Sequence, residues 1–88
     1  MEKINVTQTI PKKQIVNELR LEKELGGKTN LLLFISEDGI ILVVNFEESE
    51  EHYEKTIEDY KEALRIFNYI HQKPSKKYLK TIGFEELS

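Results

Sequence analysis

Two apolar runs in the middle of the chain dominate its hydropathy pattern. Residues 31–35 and 40–44 are each five consecutive apolar residues, and the stretch between them ends in Asp-Gly. Asp-Gly between apolar runs is a strong hairpin signal, because the mirror-image turn needs positive φ at both central residues. We therefore predict a β-hairpin with Asp38 and Gly39 as turn residues, in which Glu37 faces Ile40, Ile35 faces Leu42, Leu33 faces Val44 and Leu31 faces Phe46.

The two predicted strands lack the alternation of apolar and polar residues that a strand with one wet face shows. Near-continuous apolar runs are typical of strands that are buried on both faces. We therefore expect both faces of the hairpin to be covered. In a chain of 88 residues, a second copy of the chain is a good candidate for that cover.

The segment before the hairpin predicts a strand followed by a short helix. Apolar Ile4, Val6 and Ile10 alternate with polar residues, and Pro11 suits the first position of a helix because its missing N–H is not needed there. One helical face is then predicted, and Gly26-Gly27 ends the element. The apolar positions of that face are Ile15, Val16 and Leu19, with Leu21 and Leu25 as its continuation.

Residues 47–72 predict one long helix. Apolar and aromatic residues recur at steps of four and three, which is a heptad seam. A strict seam favours helix pairing, whereas Ala63, Ile66 and Ile70 widen it into a stripe that suits packing on a sheet. Asn45 or Ser49 is the expected N-cap, Pro74 closes the helix, and Ser75 caps a last short turn. The seam consists of Tyr53, Ile57, Tyr60, Leu64, Phe67 and His71.

Composition and charge limit the class of protein. Residues 1–46 carry six basic and six acidic side chains, whereas residues 47–88 carry seven basic and ten acidic ones. No run approaches the roughly 18 apolar residues of a membrane span, and no signal-peptide profile is present. Because the chain has no cysteine, disulfides and thiolate metal sites are excluded, and a cytoplasmic location is expected.

Residues 6–44 resemble the SpoVT–AbrB family of swapped-hairpin DNA-binding domains, which includes AbrB-type regulators and MazE-type antitoxins. The residues that carry this resemblance are Thr9-Ile10-Pro11-Lys12, the helix positions Ile15, Leu19 and Leu21, the Gly26-Gly27 turn, and the pattern FISEDGIILV at 34–43. The resemblance covers about half of the chain.

The resemblance implies an α+β fold. An AbrB-like domain at 1–46, made of a strand, a short helix and a hairpin, would interleave with a second copy into a dimeric barrel, and residues 47–88 would add the long helix and a short C-terminal segment. The expected dimerisation and packing residues are Leu33, Ile35, Ile41, Val43, Tyr53, Ile57, Tyr60, Leu64 and Phe67.

The resemblance also implies a partner. A two-fold dimer presents its basic residues twice, so double-stranded DNA with a palindromic operator is the natural ligand. The candidate DNA contacts are Lys3, Thr7, Gln8, Lys12, Lys13 and Arg20. For each of these residues, a solvated surface position is an equally good interpretation.

Other candidate sites are weaker. His52 and His71 are nineteen residues apart without a paired ligand pattern, so we expect no metal site. Gly26-Gly27-Lys28-Thr29 ends like a phosphate-binding loop but lacks its earlier glycine. No nucleophile–base–acid set is visible, and the chain is predicted to have neither enzymatic activity nor a cofactor.

Three functions remain open at this level. The first is a dimeric DNA-binding transcriptional regulator of the AbrB type. The second is a MazE-like antitoxin whose acidic C-terminal half binds a toxin. The third is a small acidic mobile-element protein that inhibits a protein partner without binding DNA.

Overall fold

In a computed structural model of the protein, which describes residues 19–37 and 39–87, one antiparallel sheet carries two helices. The strands are ordered β1-β2-β3-β4-β5, so each strand pairs with the next one in the chain. The elements are β1 (Leu19–Gly26), β2 (Thr29–Ser36), β3 (Gly39–Phe46), β4 (Glu51–Ile57), α1 (Tyr60–Tyr69), α2 (Lys76–Thr81) and β5 (Glu85–Leu87).

The predicted hairpin is confirmed, but its register is shifted by two residues. Ser36 pairs with Gly39, and Leu33 pairs with Leu42 rather than with Val44. Gly39, which was predicted as a turn residue, is therefore the first residue of β3. Because the shift is an even number, every side chain keeps the face that the predicted register gave it.

The predicted short helix is wrong where the structure describes it, since Leu19–Gly26 is strand β1. Apolar Leu21 and Leu25 are four residues apart, a spacing that suits one face of a helix and equally one face of a strand. The three residues between them are all charged, and in the strand Lys23 shares the face of the two leucines. Gly26 and Gly27 end the element as predicted, with φ of 88° and 56° in the turn to β2.

The predicted long helix over residues 47–72 is also wrong. Residues 47–50 form a turn, in which Glu50 has φ of 58° and the Glu47 N–H donates to the Lys28 carbonyl at 2.9 Å. Strand β4 follows and pairs with β3 along its whole length. The heptad seam is thus divided among β4, α1 and, at His71, the linker after α1. The candidate caps Asn45 and Ser49 lie in β3 and in the turn.

Both helices begin at side-chain caps. Asp59 accepts a hydrogen bond from the Lys61 N–H at 3.2 Å and begins α1. Ser75 accepts one from the Tyr78 N–H at 3.0 Å and begins α2, as predicted. Each cap satisfies a backbone donor that the first helical turn leaves without a partner.

The end of α2 is a Schellman motif. The Gly83 N–H donates to the Lys80 carbonyl at 3.1 Å, and the Phe84 N–H donates to the Leu79 carbonyl at 2.8 Å. Gly83 has φ of 102°, a conformation that glycine adopts without strain. Leu79 and Phe84, which commonly touch in this motif, are both buried in the main core.

The helices cover one face of the sheet, which we call the helix-covered face. Its core joins side chains from the sheet to Ala63, Phe67 and Ile70 from α1 and its C-cap, and to Leu79 from α2. The strand residues of this core are Leu25, Leu31, Leu33, Ile40, Leu42, Val44, Phe46, Tyr53 and Ile57.

The opposite side, which we call the second face, is also buried. Its apolar cluster consists of Leu32, Phe34, Ile41 and Val43, with exposed fractions of 0–4%. Burial on both faces is therefore confirmed, and it occurs in a single copy of the chain.

The predicted α+β architecture, a swapped-hairpin barrel followed by a long C-terminal helix, is wrong. In the described part of the chain, β4 and β5 extend the sheet that the hairpin begins, and α1 has only 10 residues. The apolar residues that were assigned to a helix seam instead complete a core on one side of this sheet. No described helix is long and apolar enough to cross a membrane.

Candidate binding cleft

An open cleft lies between the end of α1 and the beginning of α2. Helix α1 ends at Tyr69, because its C-cap residue Ile70 has an extended backbone and is anchored in the core with 4% of its surface exposed. The next helix cannot begin before Pro74, since a residue that precedes proline disfavours the α region. The linker between the helices is therefore held at Ile70 on one side and at the Ser75 cap on the other.

The cleft has a volume of about 270 Å³ and a lining of mixed chemistry. Tyr69 is its most exposed large apolar side chain, with 69% of its surface open to solvent. Exposed rings that stand beside polar groups are typical of interaction sites. The lining residues are Tyr69, Ile70, His71, Gln72, Lys73, Pro74, Ser75 and Tyr78.

The two tyrosines of the cleft are neighbours in its lining. Burial, followed by the neighbouring Tyr69, raises the pKa of the Tyr78 phenol. The Tyr78 phenol is therefore neutral at physiological pH and keeps both its donor and its acceptor capacity. The pair gives the cleft an apolar wall with a polar rim.

His71 adds a hydrogen-bonding group of defined orientation. Its Nδ1 lies 3.0 Å from the Tyr69 carbonyl oxygen. Because a carbonyl only accepts, Nδ1 carries the proton, and in the neutral ring Nε2 is left as an acceptor. The exposed imidazole can therefore accept a hydrogen bond from a ligand at the rim of the cleft.

The cleft lies in a stretch of chain that has lysines but no acids. Residues 69–84 include four lysines and no Asp or Glu. Lys73 lines the cleft, and Lys77 and Lys80 are exposed on α2. In the described part of the chain, none of these three has an acidic partner within ion-pair distance. They are free to attract an anionic ligand.

The fourth lysine, Lys76, holds α2 against the sheet instead. It forms an ion pair with Glu51, and its Nζ lies 5.5 Å from the centroid of the Phe46 ring. Hydrogen bonds from Lys76 and Ser49 lower the pKa of Glu51, and the same Glu51 bond raises the pKa of Lys76. The Phe46 ring in turn meets Tyr53 edge to face at 5.8 Å.

The Ser75 hydroxyl is the one hydroxyl of the cleft besides the phenols, and it is engaged as the cap of α2. Among the described residues no cluster of three or more His, Cys, Asp or Glu side chains could hold a metal ion.

The candidate DNA contacts are not placed together by the described structure. Lys3, Thr7, Gln8, Lys12 and Lys13 lie outside the described residues, as do Ile4, Val6, Ile10, Ile15 and Val16 of the predicted strand and helix. Arg20 lies in β1 as the extra residue between Leu19, which pairs with Phe34, and Leu21, which pairs with Leu33.

The candidate packing residues divide between the two faces of the sheet. Leu33, Tyr53, Ile57 and Phe67 are buried in the helix-covered core, and the partly buried Ile35 and Leu64 pack against that core. Ile41 and Val43 belong to the second face, and Tyr60 is 37% exposed. Their burial arises within one chain.

The two histidines lie at separate places in the fold. His52 is in β4, where its Nδ1 lies 2.5 Å from Asn45 Oδ1 in the neighbouring strand. His71 lines the cleft. The glycine-lysine-threonine stretch at 26–29 forms the turn between β1 and β2, closed by a hydrogen bond from the Thr29 hydroxyl to the Gly27 carbonyl.

Sequence reasoning did not assign the cleft. The lysines at 73–80 stand out as a cluster, but Tyr69 and Tyr78 match no binding motif. The usable signal is that Tyr69 lies outside the apolar stripe of α1 and is followed by an acid-free, lysine-rich linker with a proline. That combination indicates an exposed ring beside positive charge.

Comparison with known proteins gives no relative on which to base a function. No protein family model, no curated protein and no solved structure matches the chain.

Proposed function

We propose that this protein is a non-enzymatic interaction module that acts in the cytoplasm and binds a short acidic peptide segment of a partner protein in the cleft between α1 and α2. The observation that carries the proposal is the 69% exposed ring of Tyr69 in a cleft whose eight lining residues include no acid. A large exposed ring beside unpaired lysines is typical of a surface that binds a ligand.

The lining determines which ligand is favoured. Tyr69 and Pro74 offer apolar surface for one ring or aliphatic side chain, and Gln72 and His71 offer hydrogen-bonding groups. Lys73 in the cleft and Lys77 beside it can pair with one or two carboxylates. A volume of about 270 Å³ has room for a few side chains rather than a large cofactor.

The same surface is less suited to a nucleic acid. A duplex or single strand carries phosphates at regular spacing, and its affinity depends on neutralising several of them. Here Lys76 is already paired with Glu51, and Glu47, Glu48 and Glu50 are exposed in the turn before β4. A polyanion that extended from the cleft over this turn would meet repulsion from its carboxylates.

The proposal belongs to the class of the third sequence-based hypothesis, a protein that binds a protein partner. The charge of the binding surface is opposite to the one that this hypothesis implies, because lysines of an otherwise acidic chain form the surface. Operator binding by a dimer and toxin binding remain predictions of the family resemblance.

The test begins with a random peptide library displayed on phage and selected on the purified full-length chain. We expect selected peptides to carry Asp or Glu next to an aromatic residue or proline. Calorimetry with one selected peptide then measures the affinity for three proteins. These are the unchanged chain, a cleft variant with Tyr69→Ala and Lys73→Glu, and a control variant with Tyr60→Ala and Lys61→Glu.

The control pair repeats the same chemistry at another exposed tyrosine and lysine of α1, outside the cleft. We expect the cleft variant to bind at least about tenfold more weakly, because it loses an aromatic contact and reverses one charge, each worth about 1 kcal/mol. The control variant should bind as the unchanged chain does. Equal binding by all three proteins, or preferential binding of a labelled DNA duplex through the cleft, would contradict the proposal.

A further inference from the structure

Lys73, which lines the cleft, lies alongside the turn between β1 and β2. A Cβ placed on Gly27 would lie 3.0 Å from the Lys73 Cδ, 3.4 Å from its Nζ and 3.7 Å from its Cε, and these are the three atoms nearest to it. The first distance is shorter than the roughly 3.5–4.0 Å at which two carbon atoms pack best. The far end of the lysine side chain therefore occupies the space that a side chain at position 27 would need.

The turn is a fixed support for this lysine. Gly26 pairs with Thr29, so the loop between the strands has only two residues, Gly27 and Lys28. Their φ angles of 56° and 54° have the positive sign that a type I′ hairpin turn requires at both positions. The Thr29 hydroxyl also donates to the Gly27 carbonyl at 3.1 Å. The surface against which Lys73 lies is thus set by the hairpin and not by the linker that carries Lys73.

We propose that Gly27 is a positioning residue of the cleft. The absence of a side chain there lets Lys73 lie along the β1–β2 turn, so that its ammonium binds the carboxylate of the ligand at the end of the cleft next to this turn. The inference rests on the proposed function and adds to it a place for the acidic side chain of the peptide. A lysine that is already held in place loses less rotamer freedom on binding than a free one.

The charges of β1 favour an anion on this side of the sheet. Glu22 and Glu24 pair with residues of the second face, whereas Lys23 belongs to the helix-covered face, where its Nζ lies 4.6 Å from the centroid of the Phe67 ring. In the part of the chain that the structure describes, no acid lies within ion-pair distance of Lys73. The Lys73 ammonium is therefore available to a carboxylate of the ligand.

A comparison of two peptides and three full-length proteins tests the proposal. One peptide is a selected acidic one, and the other has each of its Asp and Glu residues replaced by Asn and Gln. Calorimetry measures the affinity of both for the unchanged chain, for Gly27→Ala and for Gly26→Ala. Gly26→Ala is the matched control, because Gly26 also has a positive φ, of 88°, but nothing lies within 4 Å of its added Cβ.

The expected result is specific to one variant and one peptide. Gly27→Ala should bind the acidic peptide about two- to fivefold more weakly, the range that one exposed ion pair is worth. It should bind the amide peptide as the unchanged chain does, because the displaced lysine then has no carboxylate to meet. Gly26→Ala should match the unchanged chain with both peptides.

Lys73→Gln shows whether the loss passes through the lysine. Alone, it should weaken binding of the acidic peptide at least as much as Gly27→Ala does. Gly27→Ala added to Lys73→Gln should cause no further loss, since the displaced group no longer carries a charge. No loss from Gly27→Ala would overturn the proposal, as would an equal loss from Gly26→Ala, with the amide peptide or in the Lys73→Gln background.

Two further measurements separate this proposal from folding effects and from the proposed function. Gly27→Asn replaces the alanine variant if that one fails to fold, because asparagine adopts positive φ more readily and still adds a Cβ. NMR of the unchanged chain without peptide should show nuclear Overhauser effects between the Gly27 α protons and the δ and ε protons of Lys73. Their absence would overturn this inference and leave the proposed function standing, whereas failure of acidic peptides to bind the unchanged chain would overturn both.

Discussion

Gly39 is the position at which the structure predicts the sharpest effect of a single methyl group. A Cβ placed on Gly39 would lie 2.8 Å from the Ile57 carbonyl oxygen and 3.4 Å from the Glu58 Cα, which are both backbone atoms. The residue also has φ of 130°, a conformation that residues with a side chain rarely adopt. Gly39→Ala therefore strains the residue itself and pushes β3 away from the end of β4.

The size of the effect follows from these two contributions. Backbone strain at such a φ costs about 1–3 kcal/mol, and forcing a methyl group against backbone costs about another 1–3 kcal/mol. We expect Gly39→Ala to lower the free energy of unfolding by about 2–6 kcal/mol, the sum of the two. Gly26→Ala is the matched control, because Gly26 has φ of 88° and nothing lies within 4 Å of its added Cβ. It should cost only about 1–2 kcal/mol.

Urea unfolding followed by circular dichroism measures both variants. A difference of about 2 kcal/mol between them corresponds to about 8–16 °C in Tm for a domain of this size. The slope of the unfolding transition should stay the same, because the surface exposed on unfolding does not change. If Gly39→Ala cost no more than Gly26→Ala, the close approach of β4 to Gly39 would not exist, and the account of the hairpin register would lose its support.

Two further measurements test the core and the ion pair of α2. Phe34→Ala should lower the free energy of unfolding, measured in urea, by about 3–5 kcal/mol, because the Phe34 ring has 0% exposure. The control Tyr60→Ala should lower it much less. Similar small losses for both variants would mean that the second face is not buried. The lowered pKa of Glu51 stabilises the fold above its ordinary value of 4.5, and this contribution is lost as the pH falls through the lower folded value. The raised pKa of Lys76 stabilises the fold below 10.5, and this contribution is lost as the pH rises through the higher folded value. The Glu51→Gln variant should therefore be less stable than the unchanged chain between pH 4.5 and pH 10.5, and equally stable well below pH 4.5. A stability difference that persisted in acid would show that the ion pair is not its cause.

The sequence predicted the hairpin and the burial of both its faces, because these depend on local composition. Long apolar runs and an Asp-Gly step act within a few residues of each other, and the structure places β2 and β3 there. The register could not be predicted in the same way. Gly39 is needed where β4 passes close by, and that contact joins residues 18 positions apart.

The misassigned elements share one physical cause. Tyr53 and Ile57 are four residues apart, as are Leu21 and Leu25, and a spacing of four returns to the same face in a helix and in a strand. Only the residues between them distinguish the two structures. In β4, Glu54 and Thr56 face the second side of the sheet, and Lys55 shares the face of Tyr53 and Ile57; the apparent heptad seam hides this alternation.

The cleft was beyond sequence reasoning for a different reason. Tyr69 is a candidate binding residue because its ring is exposed. That exposure depends on where α1 ends and on the burial of Ile70 in the core. Lysines near a proline are common in solvated linkers, so the pattern alone does not separate a site from a surface.

The sheet also separates the cleft from the second face. The cleft is built on the helix-covered face through Ile70 and Leu79, which belong to the main core, whereas the second-face cluster shares no residue with that core. Side chains on opposite faces of one sheet pack in different layers, so a change at Phe34 need not alter the ring of Tyr69 or the lysines beside it. One chain of 88 residues has both surfaces because its middle strands are apolar on both sides.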